Sequence, residues 1–240
     1  MRKSYKVLKR MIKKVLNLFR SEQEISYKYW NSKEDWKVKD ALKDRYEQTK
    51  KFLLEKYIPL LNKSDIVCDY GCASGEWTLL VSPHVKHVDA YDMNSRLIKN
   101  AISEAKKNQI ENIHFEVSEA SSFAYQSKYN SIMILGVFTC IFNDRVCEEF
   151  VRKTSESIVE GGYLIVKDTL TLDKKDMKYV NNDYAGMYRT REKYVDFFTG
   201  NRFKLIEETY LMEKKEFQGR HVASFMGIFK KLTDVSIKKS

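Results

Sequence analysis

Between residues 65 and 170, short apolar runs recur at regular intervals and the segments between them follow a different period. "DIVCDY" (65–70), "HVDAYD" (87–92), "IHFEV" (113–117), "YNSIMILGVF" (129–138) and "GGYLIVKDTL" (161–170) have the length and content of buried strands. "EWTLLVS" (76–82), "NSRLIKNAISEAKKNQ" (94–109) and "DRVCEEFVRKTSESIV" (144–159) repeat their apolar residues at helical spacing. Pro83 closes the first of these helices, and Asn94 or Ser95 suits the cap of the second. Strand and helix alternating in this way predict an α/β fold, a mostly parallel sheet with helices on both faces. "FKLIEETYLM" (203–212) and "VASFMGIFKK" (222–231) are too close together for a parallel crossover and must pair antiparallel. The expectation is a seven-stranded sheet whose last strand alone runs backwards. Upstream, 34–58 reads as a helix ending at Pro59. Residues 171–200 read as a polar, tyrosine-rich insertion.

Charge changes this picture at one end only. The net charge of +10 suggests nucleic acid until it is located. Residues 1–20 hold eight Lys or Arg and no acid, which leaves 35 basic against 33 acidic residues in the remainder. A near-neutral body does not suit a wide phosphate-binding face, so nucleic acid is not the expected partner. Within 1–20, Val7/Leu8, Met11/Ile12, Val15/Leu16 and Leu18/Phe19 would form an apolar stripe flanked by cations on a helix. Such a helix suits peripheral contact with an anionic membrane surface, and equally packing on the body or on a partner. The chain then divides into a basic amphipathic helix (1–20), a helical extension or lid (21–60) and a main domain (61–240). No apolar run is long enough to span a bilayer. Cys68, Cys72, Cys140 and Cys147 form no CxxC pair and share no metal-ligand spacing with the histidines, so buried thiols in the reducing cytoplasm are expected.

Candidate chemistry begins at "DYGCASGEWTLL" (69–80), where five small residues separate a strand from a helix. Small residues supply little core, and a strand, a tight turn and a helix start together bring backbone amides close to a ligand. No Lys-Ser/Thr follows Gly75, so this is not a P-loop. Gly71 and Gly75 lie four apart with Ala73 between, so it is not the G-x-G-x-x-G fingerprint either. Asp92 ends the second strand 17 residues beyond Gly75, where a carboxylate can accept bonds from ribose hydroxyls or cap the next helix.

In order and spacing, "IVCDYGCASGEW", "VDAYDMNSRLIKNA", "IHFEVSEA", "YNSIMILGVFTCI" and "EGGYLIVKD" resemble the successive motifs of class I S-adenosylmethionine-dependent methyltransferases. The resemblance covers residues 50–170, and the terminal strand pair by topology. It implies a Rossmann-like sheet and S-adenosyl-L-methionine as cofactor, with S-adenosyl-L-homocysteine as product. It further implies that Asp69, Gly71, Ala73 and Gly75 hold the methionine end and that Asp92 binds the ribose. Met93 would lie on the adenine, Glu119 and Ala120 would meet its edge, and Gly136 would offer backbone beside the methionine. The chain departs from the family at two positions. Ala73 stands where glycine is frequent, which suits a residue that avoids positive φ, and Glu119 stands where aspartate is usual.

The acceptor must approach the carboxyl ends of the strands. Methyl transfer depends on alignment, and a hydroxyl acceptor also needs a base. Asp168, at the end of the fifth strand, is the best-placed candidate, with a salt bridge to a nearby lysine as its plainer role. Arg220 and His221 open the last strand at the same end; His221 is a candidate base or an ordinary edge histidine. "YAGMYRTREKY" contributes Tyr184, Tyr188, Arg189 and Arg191. Tyr188 is a further catalytic candidate, and Tyr184, Arg189 and Arg220 are candidates for a polar or anionic acceptor, since guanidinium groups read oxyanions. The tyrosines could instead pack the insertion onto the sheet. Tyr29 and Trp30 would belong to a lid or to simple helix packing. The reading that follows is O-methylation of a small polar acceptor, a sugar or a phosphorylated or nucleotide-linked sugar, in bacterial surface-polysaccharide assembly. An RNA or protein methyltransferase docking through the basic N-terminus is the alternative, although "LGVF" stands where a base-methylating motif would follow the fourth strand. A non-catalytic cofactor-binding subunit is the third reading.

Overall fold

A computed structural model describes residues 21–34, 43–118, 125, 128–181, 183–211, 215–217 and 220–233. Residues 1–20, the expected basic helix, lie outside the described residues.

Helix α1 (Glu22–Asn31) begins with a capping box: the Ser21 hydroxyl accepts from the Glu24 amide while the Glu24 carboxylate accepts from the Ser21 amide. Helix α2 (Lys43–Phe52) widens through Leu53–Tyr57 and tightens at Ile58–Leu60, where Pro59 ends it. Strand β1 (Ile66–Tyr70), helix α3 (Glu76–Val81), strand β2 (His87–Asp92), helix α4 (Ser95–Lys107), strand β3 (Ile113–Val117) and strand β4 (Tyr129–Leu135) follow. Helix α5 (Asp144–Ser157) leads directly into the long strand β5 (Ile158–Thr171). The glycines expected to end this helix instead sit inside β5. Gly161 takes φ +75°, and a Cβ on Gly162 would come within 2.6 Å of the Asn130 carbonyl. They let the strand bend where its register against β4 shifts.

Residues 171–200 are more than an insertion. They form a hairpin, β6 (Met177–Val180) with β7 (Ala185–Tyr188), and then helix α6 (Arg191–Thr199), which connects β5 to β8 (Phe203–Tyr210). Short strand β9 (Lys215–Phe217) pairs with β10 (Arg220–Lys231). The sheet order is β3-β2-β1-β4-β5-β10-β8. Pairings from β3 to β5 are parallel, and β10 runs antiparallel to both β5 and β8, as the sequence pattern predicts.

Each central strand feeds two cores because successive side chains point to opposite faces. Ile132 and Ile134 of β4, Leu164 and Val166 of β5, and Phe225 and Phe229 of β10 meet α5 and α6 on one face. Met133, Ile165, Met226 and Ile228 meet Phe52, Leu53, Tyr57 and Val81 on the other. Burial on both faces is why β4 reads as an unbroken apolar run. Among the described residues, no helix is long and apolar enough to cross a membrane.

Helix α6 carries much of the first core through Tyr194, Phe197 and Phe198. Phe198 is fully buried against the rings of Phe138, Tyr194 and Phe229. Phe198→Ala should lower the unfolding free energy by about 3–5 kcal/mol in a urea titration. A loss below about 1 kcal/mol would show that α6 is peripheral to the fold.

Candidate active site

The turn after β1 is built by left-handed backbone and reversed hydrogen bonds. Gly71 takes φ +84°, Ala73 φ +49° and Gly75 φ +78°. The amides of Gly71 and Cys72 donate to the Tyr91 carbonyl at 2.7 and 3.0 Å, which folds the turn back over the end of β2. A Cβ on Gly71 would approach Val137 to 2.6 Å. Ala73 does adopt the positive φ that the sequence reading expected it to avoid. Left-handed alanine costs about 1–2 kcal/mol, and the Ala73 amide offsets this by donating to the Asp92 carboxylate at 2.9 Å. The small residues serve two purposes. Gly71, Cys72 and Ala73 line a cavity. Gly75 instead faces α4 and β3, where a Cβ would meet Ala101 at 3.0 Å and Phe115 at 3.3 Å.

Asp69 sits behind the turn and away from the cavity. It is buried and accepts the Thr78 hydroxyl at 2.5 Å. Burial pushes its carboxyl up to about 7, against the pull of the Thr78 bond. Its role is to fix the turn and α3, not to touch a ligand at the cavity wall.

Asp92 stands at the cavity edge with both oxygens engaged. One accepts the Ala73 amide and the other the Asn94 amide at 2.8 Å. Burial raises its pKa, with those two amides opposing the shift. Asn94 caps α4 through its side-chain oxygen, and its amide nitrogen donates to the carbonyls of Trp30 and Lys33 at 2.9 and 3.0 Å. Helix α1 is thereby tied down beside the turn. Gln23 ties its other end, donating to the Cys140 carbonyl at 2.8 Å and accepting from the Phe142 amide at 3.1 Å. Tyr29 and Trp30 lie within α1 and pack edge-on against Tyr184 of the hairpin. Helix α1 thereby forms one wall, called the roof below, of a cavity of about 1440 Å³. Met93, Leu97 and Ser118 line one end of the cavity, Gly71, Ala73 and Gly136 the middle, and Asp168, Tyr184 and Tyr188 the other end.

At that last end, several expectations change. Asp168 is only 3% exposed, and its oxygens accept the Thr139 amide at 3.0 Å and the Tyr194 hydroxyl at 2.7 Å. Burial holds its carboxyl up at about 6. It positions the loop after β4, and no lysine lies within ion-pair distance of it among the described residues. Tyr184 and Tyr188 share a hydrogen bond, and burial pushes both phenols up, so they act as neutral O–H groups and not as bases. Arg189 is not a substrate ligand. It is 1% exposed, and its guanidinium donates to Asp144 at 2.9 Å and to the carbonyls of Phe138 and Ile141 at 2.9 and 2.7 Å. His221 is not a base in this cavity either: its side chain is 61% exposed and lies 3.7 Å from Asp173. Arg191 pairs with Glu208. Glu119, Ala120 and the Arg220 side chain lie outside the described residues. The structure adds Arg45 and Lys167 to the cavity wall. Lys167 could have been found beside Asp168, since strand alternation sends neighbouring side chains to opposite faces.

The model of a methyltransferase-domain family matches residues 61–218, about two thirds of the chain. The chain belongs to that methyltransferase family. A probable cobalt-precorrin-6B C(15)-methyltransferase (decarboxylating) of Methanococcus maripaludis is 24% identical over 127 residues, which cover 53% of this chain and 68% of that protein. The fold is similar to the N-methyltransferase NodS of Bradyrhizobium japonicum bound to S-adenosyl-L-homocysteine, with TM-score 0.62 and 15% identity over 88% of this chain and 97% of that one. It is also similar to an O-methyltransferase of a trans-AT PKS multienzyme of Brevibacillus brevis bound to the same product, with TM-score 0.61 and 12% identity over 78% and 72% of the two chains.

S-adenosyl-L-methionine is the cofactor of this methyltransferase. The residues present suit it. A half-buried carboxylate stands at the cavity edge, the Gly71–Ala73 backbone is bare of bulk, and open space lies where a Gly136 Cβ would be. Asp92 has lone pairs left for ribose hydroxyls, and Met93 and Leu97 offer an apolar wall to a base.

Asp92→Asn keeps one oxygen for the neighbouring amides while removing the charge. Calorimetric titration with S-adenosyl-L-homocysteine should show binding weakened at least about tenfold in this variant, and lost in Asp92→Ala, with NAD inert throughout. Undiminished affinity in Asp92→Asn would remove Asp92 from the cofactor site.

Asp69 makes a pH prediction. Its folded pKa lies above the unfolded value, so the folded state holds the proton more tightly. Its contribution is greatest below about pH 4 and declines as pH rises towards 7. Asp69→Asn retains an acceptor for Thr78 and removes this titration. The wild-type minus variant unfolding free energy, measured in urea at several pH values, should fall between pH 4 and 7. A flat difference would refute the assignment.

Proposed function

We infer that this methyltransferase O-methylates a small polar acceptor, a sugar or a phosphorylated or nucleotide-linked sugar, in the assembly of bacterial surface polysaccharide. The observation that carries the small-molecule reading is the roof. Helix α1 is strapped beside the cavity at Asn94 and at residues 140–142, and Ser26, Tyr29 and Trp30 of this helix line a volume that suits a cofactor together with a small acceptor. The polar reading rests on the hydroxyls of Tyr184 and Tyr188 and on the cations of Arg45 and Lys167 in the wall. The near-neutral body, with its basic residues gathered in 1–20, supports contact with an anionic membrane surface over contact with nucleic acid.

The cofactor supplies a methyl group already activated on a sulfonium sulfur. What remains for the protein is alignment, exclusion of water and disposal of the acceptor proton. Tyr184 and Tyr188, kept neutral by burial, orient an acceptor oxygen by hydrogen bonding. Asp168 acts through Thr139, holding the loop that follows Gly136.

Incubation with methyl-labelled S-adenosyl-L-methionine and a panel of sugars, sugar phosphates and nucleotide sugars should give a product labelled on a hydroxyl oxygen. Deleting residues 1–20 should leave turnover on such soluble acceptors intact while reducing recovery with anionic vesicles. Label transferred to RNA or protein, and lost with residues 1–20, would replace this reading with the alternative.

A further inference from the structure

The cavity wall has an imbalance of charge. Six carboxylates line it, and each already has a partner. Glu22 pairs with Lys178, Glu24 accepts the Ser21 amide, Glu76 bonds Tyr46, and Asp92 accepts two amides. Asp144 pairs with Arg189 and Lys193, and Asp168 is held by Thr139 and Tyr194. Arg45, Lys167 and the exposed Arg145 line the same cavity, and none has a carboxylate within ion-pair distance among the described residues; only Arg45 and Lys167 are withdrawn from solvent. Lys167 reaches only the Thr49 hydroxyl, at 3.4 Å, and stands 5.5 Å from the Trp77 ring. Burial penalises both cations, and the carboxylates of Asp168, Glu76 and Asp69 offset this for Lys167 only from beyond contact distance, so a ligand oxyanion beside the pair is favoured.

We propose that Arg45 and Lys167 form an oxyanion-binding subsite for a carboxylate or phosphate group carried by the methyl acceptor. The proposal rests on the small-acceptor reading above and narrows it to anionic acceptors. Arg45 comes from the first turn of α2 and Lys167 from the end of β5, so they meet across the cavity wall from two rigid elements. Arg45 lies within electrostatic reach of Tyr184 and Tyr188, at the acceptor end. In the sheet, Lys167 is two strands beyond the Gly71 turn on the side away from Asp92, because the order runs β2-β1-β4-β5. The pair thus stands past Gly136, on the side opposite the Met93 and Ser118 end. A guanidinium fork and an ammonium are complementary to a terminal oxyanion. Burial and then the charge on Arg45 bring Lys167 down to about 8, while Asp168, Glu76 and Asp69 pull the other way.

The competing source of an oxyanion is the carboxylate of the cofactor itself, and the test separates the two. S-adenosyl-L-homocysteine is titrated into wild type, Arg45→Gln, Lys167→Met and Lys167→Arg. Inorganic phosphate is then titrated into each saturated protein, with the melting temperature and proton uptake near pH 8 recorded. In the wild type, phosphate should raise the melting temperature and be bound with proton uptake. Arg45→Gln and Lys167→Met should weaken that response at least about tenfold while changing product affinity less than threefold, and Lys167→Arg should retain it. The proposal is overturned if product binds but phosphate has no effect on wild type. It is also overturned if both charge-removing variants lose product affinity tenfold, since the pair would then serve the cofactor. Failure of wild type to bind product at all would sink the cofactor assignment first, and this proposal with it.

Discussion

One carboxylate holds the site together. Asp92 sits at the end of β2 and accepts the amide of Ala73 from the turn after β1 and the amide of Asn94 from the start of α4. The first bond stabilises an alanine in a left-handed conformation. The second sets the residue that caps α4 and tethers the carbonyl end of α1. Turn, helix start and roof therefore all depend on a single side chain that also faces the cavity. Each bond to a charged acceptor contributes about 1.5–3 kcal/mol, which is enough to offset the backbone strain at Ala73.

The same economy governs the two sides of the sheet. At the end of β5, adjacent residues take opposite faces. Asp168 turns to Tyr194 and Thr139 beneath α6, while Lys167 turns to Thr49 on α2. The carboxylate is neutralised by hydrogen bonds within the protein, whereas the ammonium is left facing the cavity. An Asp–Lys pair that reads in sequence as a local ion pair is in fact divided between different partners, although both residues line the cavity.

The sheet was legible because its strands are short apolar runs whose two-face burial leaves little freedom of assignment, and "SIMIL" admits no other role. Helix α6 was not, because "REKYVDFFT" lies in a stretch dominated by polar residues and tyrosines. Its buried positions nonetheless recur at helical spacing between a Thr190 cap and Gly200. Backbone at the cavity was legible where conformation dictates residue type, as at Gly71 and Gly136, both of positive φ. Ala73 departed from expectation because a tertiary bond overrode an intrinsic preference. The acceptor side was least legible. Arg189 has the composition of an anion ligand, yet its partners are Asp144 and two carbonyls, 45, 51 and 48 residues away in sequence, which no local pattern announces. Arg45 lies on a helix whose polar residues look like a solvated face, until the hairpin brings Tyr184 and Tyr188 towards it.

These placements constrain how the acceptor proton can leave. Every carboxylate in the wall is already bonded, and the phenols of Tyr184 and Tyr188 are pushed away from ionisation by burial. A dedicated base in the manner of a His–Asp pair is therefore lacking among the described residues of the wall. General-base catalysis contributes at most about 10²–10⁴-fold, whereas alignment of reacting groups can supply far more. A fixed turn and an anchor for the acceptor's distal end would both serve alignment. On that account an already activated methyl group would need little further help from groups beside the reacting atoms.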